Sequence, residues 1–295
     1  MVTEDLVTAP RWFRWWRPSP STSDLIDCAW SARADGTHRL VPDGAVDVLW
    51  FPTSGALSSI WVCGPDTRSW SIDLPAGTPI AGVRFRPGAA SSVLRESMGR
   101  LRDRRVRLED LVGAACERRL RDEIEHARDS RSRSEALERW VRFGRSDGGA
   151  DPVSELAASI RRGACYRVDD LAHLTGTSSR HVHRRFTASV GYGPAFFARV
   201  ARLQRFMQMA ACRPGRSLAE LSVDAGYADQ AHLGRDCRDL ADVTPAGLVT
   251  ELDRTSAQLP RARVRPGSPS PSSMTSVGGP RAQVSFSSAV RSRSA

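Results

Sequence analysis

The chain of 295 residues contains no lysine, so its 43 basic residues are all arginine. That bias fits a GC-rich coding sequence, and it leaves every cation able to grip guanine edges and phosphates through a bidentate fork. The sequence also has no Cys-x-x-C pair. Its cysteines (Cys28, Cys63, Cys116, Cys165, Cys212 and Cys237) are scattered, which excludes a zinc knuckle or a dithiol redox motif and fits reduced, buried thiols of a cytoplasmic protein. Membrane-spanning runs are missing too. The uncharged run from Phe186 to Ala198 is interrupted by Pro194 and falls short of the roughly 20 residues that a membrane helix needs. The amino terminus, MVTEDLVTAPRWFRWWRPSP, begins acidic and lacks an apolar core, so it does not read as a signal peptide. Trp12, Trp15 and Trp16 stand there among Arg11, Arg14 and Arg17. Pro10 and Pro18 confine them to a short arm, which is expected to pack on the first domain rather than lie on a membrane.

Acidic residues are absent from one end. After Asp253 there are seven arginines and eleven serines but no acid, so this tail holds +7 of the net +10 and leaves +3 for residues 1–253. Such a segment cannot form a core and is expected to be disordered, either simply solvated or adding nonspecific attraction to phosphates. A second imbalance lies further in. Residues 161–216 set eleven arginines against Asp169 and Asp170, a balance of +9, whereas residues 217–253 set Arg235 and Arg238 against eight acids, a balance of −6.

What is present follows two periodicities. Between residues 38 and 88, the runs AVDVLWFP, SSIWVCGP, RSWSIDLP and PIAGVRFRPG alternate apolar residues between turn signals, the mark of an antiparallel β domain. No Ser/His/Asp set or carboxylate pair stands out in it. Arg84 and Arg86 are alternate strand residues on one face, either contacts for an anionic ligand or a solvated edge. From Ala89 to Arg142 the apolar spacing becomes helical, among dense charge pairs. The stretch SDGGADP (146–152) then breaks the pattern and marks a boundary.

Residues 165–253 contain a weak duplication. DDLAHLTGTSSRHVHRRFTASVGYGP (169–194) matches LAELSVDAGYADQAHLGRDCRDLADVTP (218–245), with Gly176 against Gly226, Val182 against Leu233, Arg184 against Arg235 and Pro194 against Pro245. Each copy reads as short helix, glycine turn, second helix. Glycine admits the sharp turn, and Ser178 or Ser179 in one copy and Asp229 in the other can cap the helix that follows. This is the grammar of a helix-turn-helix, whose second helix enters the major groove. On such a helix Val182, Phe186 and Val190 share an inner face, while Arg180, His183, Arg184 and Thr187 lie outside. His181 and His183 point about 200° apart, so they cannot share a metal ion. In the second copy Ala231, Gly234, Arg235 and Arg238 face outward with Gln230 at the edge. Alanine and glycine offer little base readout, so this copy is expected to clamp the backbone more than read sequence.

These residues resemble the AraC/XylS family of bacterial transcription regulators over about ninety positions, 161–250. The match includes Ala172, Gly176, Ser178, Arg184, Phe186, Gly191 and Pro194, then Arg202 and Leu203 in a linking helix (about 194–210), and Gly226-Tyr227, Asp229, Arg235 and Pro245. Departures are Phe206, Ser222, Cys237 and Leu248-Val249, mostly in the second unit. The resemblance implies two helix-turn-helix units joined by one helix, reading successive major-groove segments. LVPDGAVDVLW (40–50), GP (64–65) and GVRFRPGAA (82–90) are similar to an N-terminal domain of some AraC-type proteins, implying sensing or oligomerisation.

The expectation is therefore an α+β chain. Residues 1–145 form a β-rich antiparallel sensor or oligomerisation domain with helices at its end, 146–152 a linker, 153–253 a double helix-turn-helix, and 254–295 a tail. Expected DNA contacts are Ser178, Ser179, Arg180, His183, Arg184 and Thr187 in the recognition segment 178–190, with Gln230, Ala231, Gly234, Arg235 and Arg238 in the second unit. Arg84 and Arg86 are the ligand candidates. No catalytic residue, cofactor or metal is expected. The expected partners are double-stranded DNA, an unidentified small-molecule effector, RNA polymerase and a second copy of the chain, with no membrane; the expected location is the cytoplasm, on the nucleoid when DNA is bound. The competing readings are a protein-interaction module without DNA binding, and a cysteine-dependent enzyme fused to a DNA-binding domain.

Overall fold

A computed structural model describes residues 13–34, 36–53, 58–145, 152–163, 172, 176–213, 215–257, 276–277 and 283–284. The first strands are β1 (Phe13–Trp16), β2 (Ile26–Arg33), β3 (Gly36–Leu40), β4 (Asp47–Pro52), β5 (Ser58–Cys63), β6 (Trp70–Leu74) and β7 (Pro79–Phe85). After them come the short helices α1 (Ala90–Leu94) and α2 (Met98–Leu101), strand β8 (Arg105–Arg107), and helices α3 (Leu108–Val112), α4 (Ala114–Glu125) and α5 (Ser130–Gly144). One six-stranded antiparallel sheet has the order β1-β2-β7-β4-β5-β8. β3 and β6 pair antiparallel over five residues at the middle of a second sheet.

The pleat sends successive side chains to opposite faces, and here both faces are covered. Val48 and Trp50 of β4, with Ile60, Val62, Val83 and Phe85, pack beneath Leu120 and Ile124 of α4 and Leu137 and Val141 of α5. Leu49, Phe51, Trp61 and Cys63 pack on the other side against Trp70, Ile72 and Leu74 of β6. Double coverage is why all six residues of β5 are buried. The aromatic arm joins this fold as a strand, Trp15 opposite Trp30 of β2.

The C-terminal region is helical: α6 (Pro152–Arg161), α7 (Ser179–Val190), α8 (Pro194–Cys212), α9 (Leu218–Asp224), α10 (Gln230–Asp236) continuing into a π-helical turn (Cys237–Ala241), and α11 (Pro245–Ala257). Long α8 is its spine. Phe197, Val200, Leu203, Phe206 and Met207 share one core with Val182, Phe186 and Val190 of α7 and with Leu221, Leu233, Leu240 and Leu248 of the second unit. Arg205 on α8 ties the units together, donating to the carbonyls of Ile160 (3.2 Å) and Ala225 (3.3 Å) at the ends of α6 and α9, where helical carbonyls lack partners of their own. The departures from the family pattern leave this core closed. Phe206, Cys237 and Leu248 are fully buried, as is Ser222, whose hydroxyl donates to the Ala219 carbonyl at 2.8 Å and so is not left unsatisfied.

Described elements extend past the expected start of the tail. Helix α11 runs on through Ala257, past the expected boundary at 254. Two short strands, β9 (Ser276–Val277) and β10 (Gln283–Val284), border the second sheet by pairing with β3 and β6. The remainder of the tail, residues 146–151 of the linker, and most of the first helix of unit one lie outside the described residues.

Candidate DNA-binding surface and ligand cavity

The turn before α7 bends at Gly176 (φ +61°), and Ser178 caps the helix by accepting from the His181 N–H at 3.2 Å. Val182, Phe186 and Val190 are buried, while Arg180, His183, Arg184 and Arg185 are exposed. His181 Nδ1 lies 3.1 Å from an Arg184 guanidinium nitrogen, and the His183 ring instead rests over Gly193. The two histidines thus engage different neighbours.

The second unit repeats the construction with Gly226 (φ +91°) and Asp229, which accepts from the His232 N–H at 2.6 Å. Gln230, Ala231, Arg235 and Arg238 are exposed. Among the described residues, Arg180, Arg235 and Arg238 carry no ion pair.

Ser178 caps α7, as the sequence allows, and Ser179 is half-buried. Two sequence-based placements change. Thr187 does not face solvent: it is half-buried, its hydroxyl is sealed without a hydrogen-bond partner, and its carbonyl lies beneath Gly99 of α2. A helical wheel cannot register a neighbour that packs on the outer face. Gly234 is buried, with the Arg238 guanidinium beside it, so it offers no surface to a base.

The linear charge imbalance also contracts. Arg199 holds both Asp236 and Asp239 at 2.8 Å. Arg213 and Arg216 hold Asp224 at 3.2 and 3.3 Å, and Arg216 also faces Glu220. Three arginines counted in the basic half therefore neutralise acids counted in the other. What remains outward is an arginine face on each recognition helix.

The end of α7 is seated in the β domain. Gly191 (φ +101°) ends the helix so close to Pro65 that a Cβ would collide with the proline ring. Tyr192 follows, 3% exposed, with its hydroxyl beside Gly44 and lacking a hydrogen-bond partner among the described residues. Gln204 of α8 donates to the Pro42 carbonyl at 2.7 Å. The Arg39 guanidinium donates to the Ala241 carbonyl at 2.8 Å, and the Ser69 N–H to that of Leu240 at 2.7 Å.

Between the two sheets is a cavity of about 110 Å³ lined by Phe13, Trp30, Leu49, Trp70, Ile72 and Ile80, with buried Arg84 and half-buried Asp43, Asp47 and Asp66 as polar members. Arg84 is 4% exposed and bonds Asp43 and Asp47 at 2.8 Å each. Burial opposes its charge, but the two carboxylates outweigh burial and hold it protonated. Burial pushes the Asp43 carboxyl up, against the opposing pull of Arg84. Burial likewise pushes Asp66 up to about 7, although Arg105 at 2.6 Å opposes the shift. Arg84 and Arg86 do not share a solvated edge. Arg86 lies apart, donating to the Ser23 carbonyl at 2.7 Å with Asp27 at 3.7 Å. Sequence reading did not single out Asp43 at the cavity, or Pro65 and Tyr192 at the end of α7; the PDG and GP turn motifs were the only trace of the first two.

Nucleophilic thiol chemistry requires a lowered pKa, and three of the described thiols are shifted the other way. Burial pushes Cys28, Cys63 and Cys237 each up to about 12, whereas Cys212 is exposed. Iodoacetamide at pH 8 is expected to label Cys212 in the native protein and to reach the other three only after unfolding; peptide mapping by mass spectrometry reads the order. Among the described residues no group of three His, Cys, Asp or Glu side chains could hold a metal ion, and no helix is long and apolar enough to cross a membrane.

Paired capped helices behind glycine turns, with arginines on their outer faces, define a DNA-binding helix-turn-helix protein. Residues 171–250 match the family described as a helix-turn-helix domain, and residues 15–107 match a domain of unknown function, DUF6597. Residues 171–250 thus form a helix-turn-helix domain, the DNA-binding part of a transcription regulator. No curated protein matches the chain significantly. Its fold is loosely similar to structures of ToxT from Vibrio cholerae. One has TM-score 0.41 and 9% identity over 81% of this chain and 98% of that chain. An unsaturated fatty acid-bound ToxT has TM-score 0.39 and 11% identity over 81% and 95%.

Proposed function

We propose that the chain is a ligand-responsive transcription regulator in which α7 is the main sequence-reading element, α10 clamps the DNA backbone and the β-domain cavity receives the effector. In this reading Arg180, His183 and Arg184 meet base edges, Gln230, Ala231, Arg235 and Arg238 meet the neighbouring groove and its phosphates, and no catalytic step is involved. It acts in the cytoplasm on the nucleoid, with RNA polymerase and a second copy of the chain as its protein partners.

One observation carries the ligand-responsive part. The segments 41–45 and 64–66 contribute Val41, Asp43, Ala45, Gly64 and Asp66 to the cavity wall. The same segments, through Gly44 and Pro65, hold Tyr192 and Gly191 at the end of α7. A ligand that shifts this wall acts directly on the seat of the recognition helix. Allosteric coupling of this kind is typically worth a 5- to 150-fold change in affinity.

Filling the cavity with Leu49→Trp tests the coupling. The variant is expected to bind a duplex, selected with the wild-type chain from a random library, with an affinity altered by about fivefold or more. Unaltered affinity in a variant that unfolds cooperatively near the wild-type midpoint overturns the coupling and leaves DNA binding untouched.

A further inference from the structure

We propose that the cleft between the β domain and the second helix-turn-helix unit binds a small phosphate monoester. This site is separate from the cavity between the sheets and does not depend on that cavity being the effector site.

The bonds from Arg39 to the Ala241 carbonyl and from the Ser69 N–H to the Leu240 carbonyl dock β3 and the turn before β6 on the π-helical turn. Beside them opens a cleft of about 690 Å³, within the roughly 300–1,000 Å³ of ordinary ligand sites. Arg39, Arg68, Ser69 and Ser71 line it from the β domain; Phe196 and Arg199 of α8 and Arg238 line it from the helices.

Arg39 is the buried member, 7% exposed. Among the described residues no carboxylate meets it. Its guanidinium has one partner, the Ala241 carbonyl, and its Nε has none. Buried charges are ordinarily paired, because leaving water without a counter-charge is costly. Arg39 stands directly opposite Ser71 in the strand pair, so both side chains leave the sheet on one face, and Ser71 is buried too.

The carboxylates around the cleft are engaged or solvated. Arg199 holds Asp236 and Asp239, and Arg105 holds Asp66. Asp73 and Asp103 are exposed and accept from Thr37 and Thr67. Asp242 is exposed in the lining, where solvent screens it. Four lining arginines against Asp239 and Asp242 leave the lining at +2, or +1 with Asp236 included. Arg68 and Arg238 are exposed and have no ion pair among the described residues.

Arg39, Arg68 and Arg238 thus reach one cleft from β3, from the turn before β6 and from the π-helical turn. Three separate guanidiniums suit an anion with three terminal oxygens, each able to accept its own charge-assisted bond. A phosphate monoester has these three oxygens and nearly two negative charges at pH 7, whereas a carboxylate offers two oxygens and one charge. Ser69 and Ser71 add hydroxyl donors, and Phe196 gives an apolar side to a short organic body. Arg238 is shared with the DNA-facing surface proposed above, so a ligand held here takes one arginine from the phosphate clamp.

Calorimetric titration of the full chain with glycerol 3-phosphate is expected to show one saturable site, and glycerol none. Arg68→Ala alters an exposed side chain and is expected to weaken binding by about tenfold or more. Arg39→Gln is expected to abolish it. Arg118→Ala, at an exposed arginine of α4 outside the lining, is expected to leave it unchanged. Absence of saturable binding, an equal loss from Arg118→Ala, or binding that survives Arg68→Ala overturns the assignment; so does survival in an Arg39→Gln chain with the native circular dichroism spectrum. If Arg39→Gln loses that spectrum, Arg68→Ala decides alone. The DNA backbone carries the same phosphate chemistry. Failure of glycerol 3-phosphate to bind, with a shallower slope of log K for DNA against log salt in Arg68→Ala, overturns the small ligand and gives the cleft to a backbone phosphate.

Discussion

Arg84→Met is expected to destabilise the β domain by about 3–5 kcal/mol, the usual cost of removing one partner from a buried charge cluster. Arg84 is almost wholly enclosed and answers two carboxylates. Methionine fills similar space but strands Asp43 and Asp47 beside one another without the guanidinium that bonds them both. At roughly 2–4 °C per kcal/mol for a chain of this class, the unfolding midpoint should fall by roughly 6–20 °C in differential scanning calorimetry. The loss should also depend on pH in a definite direction. Burial already raises the folded pKa of Asp43 above its ordinary value, and Arg84 restrains that rise. Without Arg84 the folded Asp43 carboxyl binds its proton more tightly than the unfolded one, so stability is retained at low pH and lost as pH climbs through its folded pKa. The variant should accordingly lie closer to wild type at pH 5 than at pH 8. Adding Asp43→Asn and Asp47→Asn should recover much of the loss, because the stranded charges are then gone. A destabilisation that is independent of pH and unrelieved by the asparagines would assign the role of Arg84 to packing alone.

Arg180→Ala combined with Arg184→Ala is expected to remove most sequence-specific DNA binding. Each bidentate base contact is worth about 1–3 kcal/mol, so the pair should cost roughly 2–6 kcal/mol, at least about 30-fold in Kd. Both side chains are exposed on α7, and Phe186 beneath them is untouched, so folding should be unaffected. Arg235→Ala with Arg238→Ala should cost less, but in a distinctive way. If these residues meet phosphates, the slope of log K against log salt should become shallower by about 0.9 for each phosphate no longer neutralised, with sequence preference intact. Equal losses of specificity from the two double variants in gel-shift titrations would refute the division of labour between the helices.

Much of this protein is legible without coordinates. The runs between residues 45 and 88 alternate visibly and become β4 to β7. Gly176 and Gly226 do adopt positive φ, and Ser178 and Asp229 do cap their helices. The inner row Val182, Phe186 and Val190 is buried as the 3.6-residue period requires. Each of these features depends on neighbours a few residues away, and local chemistry is written locally. β2, β3 and β8 carry weaker signals. Of them, β2 contains a bulge between Ile26 and Cys28, which breaks its alternation, and β8 is only three residues long.

Local patterning along the chain was enough to specify two helix-turn-helix units, their inward and outward faces, and a β domain ahead of them. The folded arrangement settled which charges stay available, because Arg199, Arg213 and Arg216 meet acids that a linear count places in the opposing half. It also placed Thr187 beneath α2 and Arg84 between Asp43 and Asp47. Finally, it brought Pro65 and Gly44 against the end of α7, joining a cavity wall to the recognition helix. The physical reason is common to all of these. Ion pairing, burial and cavity formation depend on distances in space between residues that can stand far apart in the chain, and no periodicity along the chain encodes such distances.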